Sequence, residues 1–133
     1  MSTPTTQRVL GIGGIFFKAR DPAALGAWYR DNLGVEVESW GGAIFRWSGP
    51  QNPSGAGSTV WSPFPADSDY FKPSTSSFMV NFRVADVRTM VEQLRAKGCE
   101  VDEKVSESEY GVFGWVMDPE GNRIELWQPP AGQ

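Results

Sequence analysis

The chain contains no histidine. That absence removes the usual transition-metal ligand and the usual general base near neutral pH. The Ser-His-Asp and Cys-His nucleophile systems go with it. Any chemistry must then fall to carboxylates, tyrosine, lysine, arginine or the one thiol. Glu107-Ser108-Glu109-Tyr110-Gly111 gathers several of these in one short segment. Closing over a cleft rim, Tyr110 could serve as donor or acid there, and Glu107 or Glu109 as base. The plainer reading, and the favoured one, is a hydrated acidic turn ahead of a strand. Gly11, Gly13 and Gly14 do not make a phosphate loop, because no helix follows them and the dinucleotide spacing is missing. They suit a sheet in which backbones approach closely. The single cysteine, Cys99, rules out an intrachain disulfide and reads as a small buried hydrophobe.

The composition narrows the partners. A chain of 133 residues, 40% hydrophobic and 21% charged, has enough apolar material for one domain with a core. Six Trp and eight Phe can fill that core or line an apolar pocket. A net charge of −4 argues against nucleic acid and anionic membranes, which need a basic face. No apolar run reaches the length of a membrane span, and Met1 to Arg8 lacks the apolar stretch of a signal peptide. A cytoplasmic protein is the simplest reading.

The elements that must position any site come in two copies. Phe17-Lys18-Ala19-Arg20-Asp21 and Phe82-Arg83-Val84-Ala85-Asp86 each close an apolar run at an aspartate. Each aspartate can cap a helix, and Pro22 suits a first helical position. Leu25, Trp28, Tyr29 and Leu33 form one helical stripe; Val87, Met90, Val91 and Leu94 form the other. Gly34 and Gly98 can end the helices in the left-handed conformation. Strands are expected at Ile12–Ala19, Val35–Ser39 and Ala43–Trp47, with Gly41-Gly42 as a tight turn, then at Phe78–Val84, Val112–Met117 and Arg123–Gln128. A short apolar strand also follows Gly98. Asp118-Pro119-Glu120-Gly121-Asn122 is a hairpin turn signal, and Ser48 to Gly57 reads as a mobile loop. The expected fold is α+β: tandem βαβββ modules at about 8–63 and 77–130, a connector at about 64–76, paired into a curved, partly open barrel that buries one face of each.

This order, the helix start at Arg20-Asp21-Pro22, the Trp28-Tyr29 and Leu33-Gly34 pairs, and the ending Asp118-Pro119-Glu120-Gly121-Asn122-Arg123-Ile124-Glu125-Leu126 resemble the vicinal oxygen chelate superfamily. That superfamily includes glyoxalase I, extradiol dioxygenases, fosfomycin-resistance transferases, methylmalonyl-CoA epimerase and bleomycin-resistance proteins. The resemblance spans Val9 to Pro129 and implies the glyoxalase/bleomycin resistance fold. Metal-dependent members take ligands from the first and last strand of each module, usually His or Gln and then Glu or His. Carried onto this chain, those positions fall on Gly14, Thr59, Met79 and Glu125. Only Glu125 is a ligand type, and one carboxylate does not hold a divalent ion tightly. The expectation is therefore no metal and no other cofactor, although a shifted register could recruit Asn81, Glu107, Glu109 or Asp118.

Strand alternation then names the cleft lining. Phe16, Trp61, Met79 and Trp127 are expected as walls, with Thr59 beside them. Lys18, Asn81, Arg83, Arg123 and Glu125 are expected as polar handles. Three functions follow from the resemblance and this lining. The first is a glyoxalase/bleomycin-resistance-like protein that binds a small molecule in the inter-module cleft. The second is a lyase or isomerase acting α to a carbonyl, with Glu125 as base and Lys18 or Arg83 stabilising the oxyanion. The third is an accessory protein whose cleft is filled by its own aromatic side chains. A homodimer is expected by analogy with the same proteins.

Overall fold

The structure, a computed structural model, describes residues 6–48 and 57–132. Most of the loop expected at Ser48 to Gly57 lies outside the described residues. The first half of the chain runs β1 (Gly11–Ala19), α1 (Pro22–Leu33), β2 (Ala43–Arg46) and β3 (Ser58–Pro65). The second half runs β4 (Phe78–Arg83), α2 (Val87–Ala96), β5 (Glu100–Val101), β6 (Ser106–Ser108), β7 (Gly111–Met117) and β8 (Arg123–Gln128). This is the α+β architecture that the repeat predicts.

Both helices begin and end where the sequence places their signals. The Asp21 carboxylate accepts from the Ala24 N–H at 3.0 Å, and the chain leaves α1 at Gly34 with φ 71°. Asp86 accepts from the Thr89 N–H at 3.1 Å, and Gly98 turns the chain away with φ 83°. Both glycines occupy the region that a Cβ disfavours.

The strands form one unclosed, curved sheet in the order β2-β3-β1-β4-β8-β7-β5, with β6 paired to β7. The opening strands β1 and β4 meet antiparallel at its centre. Each closing strand lies parallel to its own opening strand: β3 to β1, and β8 to β4. Paired residues share a face, so the register sorts the side chains. Gly14, Val60, Asn81, Glu125 and Trp115 fall on the concave face. Ile15, Trp61, Val80, Ile124 and Val116 fall on the other. The helices cover this second face: Tyr29 of α1 packs on Trp61, and Gly114 leaves room for Val87 and Val91 of α2.

Two local expectations change. Val35–Ser39 is not a strand. Val37 gives its N–H to Val35, and only Glu38 reaches across to Gly42, at 2.7 Å, so a single pair forms instead of a ladder. The Gly41 turn itself forms, with the Gly41 N–H on the Glu38 carbonyl. The acidic segment forms the β6–β7 hairpin: Ser108 pairs with Gly111, and Glu109 and Tyr110 make its exposed turn. Cys99 is exposed, because β5 starts one residue later and Cys99 remains in the turn that ends α2, its N–H on the Leu94 carbonyl. No described helix is long and apolar enough to cross a membrane.

Candidate functional site

The most buried acid, Glu125, lies at the centre of the concave face with a residue exposure of 1%. Its position follows from the Asp118–Asn122 turn. Asp118 Oδ1 accepts the N–H groups of Glu120 and Asn122, each at 2.9 Å. That turn sets Met117 opposite Arg123 and therefore Trp115 opposite Glu125. The neighbouring strand β4 brings Asn81 to its other side. Trp115 Nε1–H donates to Glu125 Oε2 at 2.9 Å, and Asn81 Nδ2 donates to Oε1 at 2.7 Å. A third donor is the hydroxyl of Tyr70, from the connector between the halves, which also donates to Oε2. Burial pushes the Glu125 carboxyl above its ordinary value; the three donors and the charge of Arg123 pull the other way. The Tyr70 phenol is held well above the usual range by burial first and by the Glu125 charge second.

Beside this carboxylate is a cavity of about 210 Å³ lined by Gly13, Phe16, Val60, Asn81, Tyr110, Phe113, Glu125 and Trp127. A β-bulge between Ile12 and Gly14 places Gly13 at its floor. A Cβ on Gly13 would stand 2.3 Å from Asn81 Oδ1 and 2.9 Å from the Trp127 ring, so the cavity's shape depends on that glycine. Trp127 stacks on Phe113, and its Nε1–H donates to the Tyr110 carbonyl at 2.9 Å.

Five of the residues expected at a cleft thus meet around one cavity: Phe16, Asn81, Tyr110, Glu125 and Trp127. Tyr110 sits at its mouth, 69% exposed. Six do not. Thr59 and Trp61 lie on the helix side, because Val60 rather than either neighbour pairs with Gly14. Thr59 donates its hydroxyl to the Ile12 carbonyl at 2.6 Å, and Trp61 packs against Phe17 and Tyr29. Met79 is wholly buried in a cluster with Phe71 and Trp115. Lys18 lies over the Phe71 ring and Arg83 over Trp47. Arg123 stacks on Trp115 at 4.9 Å, gives a hydrogen bond to the Lys72 carbonyl, and lines a separate cavity of about 180 Å³ with Asp102 and Met117.

The connector occupies part of the concave face. Phe71 is fully buried, and Phe64 packs on both Tyr70 and Phe71. The expectation of a cleft filled by its own aromatics therefore describes one part of this face, and an open cavity describes another.

The family model of the glyoxalase-like domain matches residues 14–127. The chain belongs to the glyoxalase-like family. Solved structures agree in fold. Methylmalonyl-CoA epimerase in complex with methylmalonyl-CoA and NH4+ superposes with a TM-score of 0.68 at 19% identity, covering 93% of this chain and 97% of that one. The methylmalonyl-CoA epimerase of Mycobacterium tuberculosis gives 0.62 at 18%, covering 96% and 93%. A glyoxalase/bleomycin resistance protein/dioxygenase superfamily member from Vibrio splendidus 12B01 gives 0.56 at 15%, covering 91% and 97%. No match was found among curated proteins.

In this glyoxalase-like chain the four positions that hold a metal by resemblance do not form a donor set. Gly14 and Met79 offer no side-chain oxygen, Thr59 lies on the other face, and both Glu125 oxygens already accept from protein donors. Among the described residues no three His, Cys, Asp or Glu side chains come together. The residues present do not fit a divalent ion. Trp115 and Val60 were within reach of sequence reasoning through the turn register and strand alternation. Tyr70 carried no such signal.

Proposed function

We propose that this glyoxalase-like chain binds a small, flat, mostly apolar molecule in the cavity bounded by Phe16, Phe113 and Trp127, without a divalent metal. The observation that carries this reading is the cavity itself: aromatic and aliphatic walls ending on the Glu125–Asn81 pair. Apolar walls with few, well-placed polar groups are what a small-molecule pocket requires. A metal would have to displace the donors on Glu125 and would gain no second anionic ligand there. Calorimetry with one- and two-ring aromatic compounds tests the binding, with Gly13→Val as the control that fills the floor. Binding lost in that variant supports the site, and binding unchanged by it overturns the site. Elemental analysis after exposure to Zn, Ni, Mn and Fe(II) tests the second half. One metal per chain would refute the metal-free reading.

A second reading is favoured by the upward push on Glu125, which moves a carboxylate toward a useful base. Proton abstraction α to a carbonyl would then be its chemistry, as the name of the epimerase neighbours suggests. It requires Tyr70 to leave the carboxylate, and it finds Lys18 and Arg83 away from the cavity. Uptake of solvent deuterium at the α-carbon of methylmalonyl-CoA would establish it. No uptake leaves binding as the function.

The same proposal has the chain act in the cytoplasm as a homodimer. Support for the dimer comes from exposed apolar side chains in the first half, Trp28, Leu33, Trp40, Ile44 and Phe45. A sedimentation mass of one chain at all concentrations would remove it.

A further inference from the structure

Tyr70 is not a core residue. It is 39% exposed and sits on a turn between strands. Its ring nevertheless lies stacked on Phe64, at 5.6 Å and 21°, and edge-on to Trp115, at 6.4 Å and 86°. Its hydroxyl ends on Glu125. Two aromatic walls and a carboxylate at the far end form a slot matched to a phenol in shape and in hydrogen bonding. The connector does not need Tyr70 to stay in place, because the next residue, Phe71, is fully buried among Met79, Trp115 and Phe64. Rotation of one side chain therefore empties the slot. Its walls share two residues with the neighbouring cavity. Glu125 belongs to both, and Phe16 lines the cavity while packing on Phe64 at 5.4 Å. Asn81, which lines the cavity and holds Glu125 Oε1, has its own Oδ1 buried without a hydrogen-bond partner.

We infer that Tyr70 stands in for the ligand: the slot between Phe64 and Trp115 binds an aromatic ring carrying an O–H or N–H donor, which displaces the Tyr70 ring from Glu125. This inference rests on the reading of the concave face as a ligand site and names the ligand class. A ring without a donor leaves Glu125 Oε2 short of one hydrogen bond in a buried place. A ring with a carboxylate brings like charge against Glu125. The slot therefore selects phenols and aromatic N–H compounds over hydrocarbons and aryl acids. A second ring on the ligand would extend into the cavity beside Phe113 and Trp127.

Titration calorimetry with p-cresol and toluene, on the full chain and on Tyr70→Phe and Tyr70→Ala, tests this. Occupancy of the slot by Tyr70 weakens apparent affinity by the fraction of time the slot is filled, so removing the ring removes that penalty. p-Cresol should bind Tyr70→Ala on the order of tenfold more tightly than the parent, with Tyr70→Phe between them. Toluene should gain far less. Equal p-cresol affinity in all three proteins, or toluene matching p-cresol in Tyr70→Ala, overturns the inference. If Tyr70→Ala does not fold, the comparison of the parent with Tyr70→Phe decides alone. Naphthalene separates the two proposals. Naphthalene bound equally by all variants, with p-cresol indifferent to Tyr70, overturns the slot and keeps the cavity. p-Cresol following the Tyr70 series while naphthalene fails supports the slot and removes the cavity reading.

Discussion

In the second half of the chain, α2 lays Val87, Met90 and Val91 against Val84, Val116 and Leu126, and all six are buried. In the first half, α1 buries only Gly26 and leaves Trp28 and Leu33 53% and 62% exposed. The two helices share a capping aspartate, but the apolar side chains of α2 gather on one side far more than those of α1 do. The sheet beneath them differs as well. After α2 the chain adds β5, β6 and β7 before its closing strand, which gives the helix a wall. After α1 it adds only the four-residue edge strand β2 before β3. Among the described residues, Ala19 and Ala43 are the only buried hydrophobics from the first half. A helical period specifies an apolar face, and the partner surface decides whether that face is buried.

The largest effect should come from removing side chain where the wall exists. Leu126→Ala, at a site 2% exposed, is expected to cost about 2–5 kcal/mol by transfer and cavity terms together. Ile44→Ala on the edge strand β2, at a site 42% exposed, should cost less than about 1 kcal/mol. Urea unfolding of both variants checks the ratio, and similar losses would break the contrast between the halves.

The polar centre of the second half comes next. Glu125→Gln keeps the shape but replaces one acceptor oxygen with an N–H donor, which must face either the Tyr70 hydroxyl and Trp115 N–H or the Asn81 amide. A loss of about 1–3 kcal/mol is expected at neutral pH. The sign of its pH dependence follows from the upward shift. The folded chain holds the Glu125 proton more tightly than the unfolded chain, for which the ordinary glutamate value of 4.5 is the reference. This contribution is therefore fully present below pH 4.5 and is lost as pH rises through the higher folded value. Asp86 and Asp118, both shifted downward by hydrogen bonds, act in the opposite sense and are common to both proteins. Denaturant unfolding of parent and variant across this range should show the parent's advantage shrinking as pH rises. An advantage that grows with pH would mean that the folded chain binds the Glu125 proton less tightly than the unfolded chain.

The caps give a smaller, sharper test. The Asp86 carboxylate accepts both the N–H and the hydroxyl of Thr89, whereas Asp21 accepts one N–H. Asp86→Ala should cost about 1 kcal/mol and Asp21→Ala a few tenths less. Equal costs would show that the extra hydroxyl bond adds nothing.

Legibility follows the same division. α2 and its buried stripe could be read from spacing alone, and the Asp118–Asn122 turn marked the β7–β8 hairpin, but Trp115, which its register sets opposite Glu125, was not among the expected site residues. The cleft lining failed on β3, where Thr59 and Trp61 were expected and Val60 faces inward. No tight turn ties β3 to β1, and a slip of one residue exchanges the faces. Tyr70 was illegible for another reason: its contact with Glu125 spans 55 residues and depends on the path of an aperiodic connector.

The smallest expected effect probes the surface that the first half leaves uncovered. Leu33 ends α1 with most of its side chain in water, so Leu33→Ser removes little buried area. Unfolding of the dilute chain should change by less than about 0.5 kcal/mol, helix propensity included. The informative variable is protein concentration. If the exposed face of α1 meets a second copy, the midpoint of the parent rises with concentration by mass action and that of the variant rises less. A midpoint gap that stays constant from dilute to concentrated solution would mean α1 is a solvent-facing helix. The weaker burial of the first half would then be its finished state in the single chain.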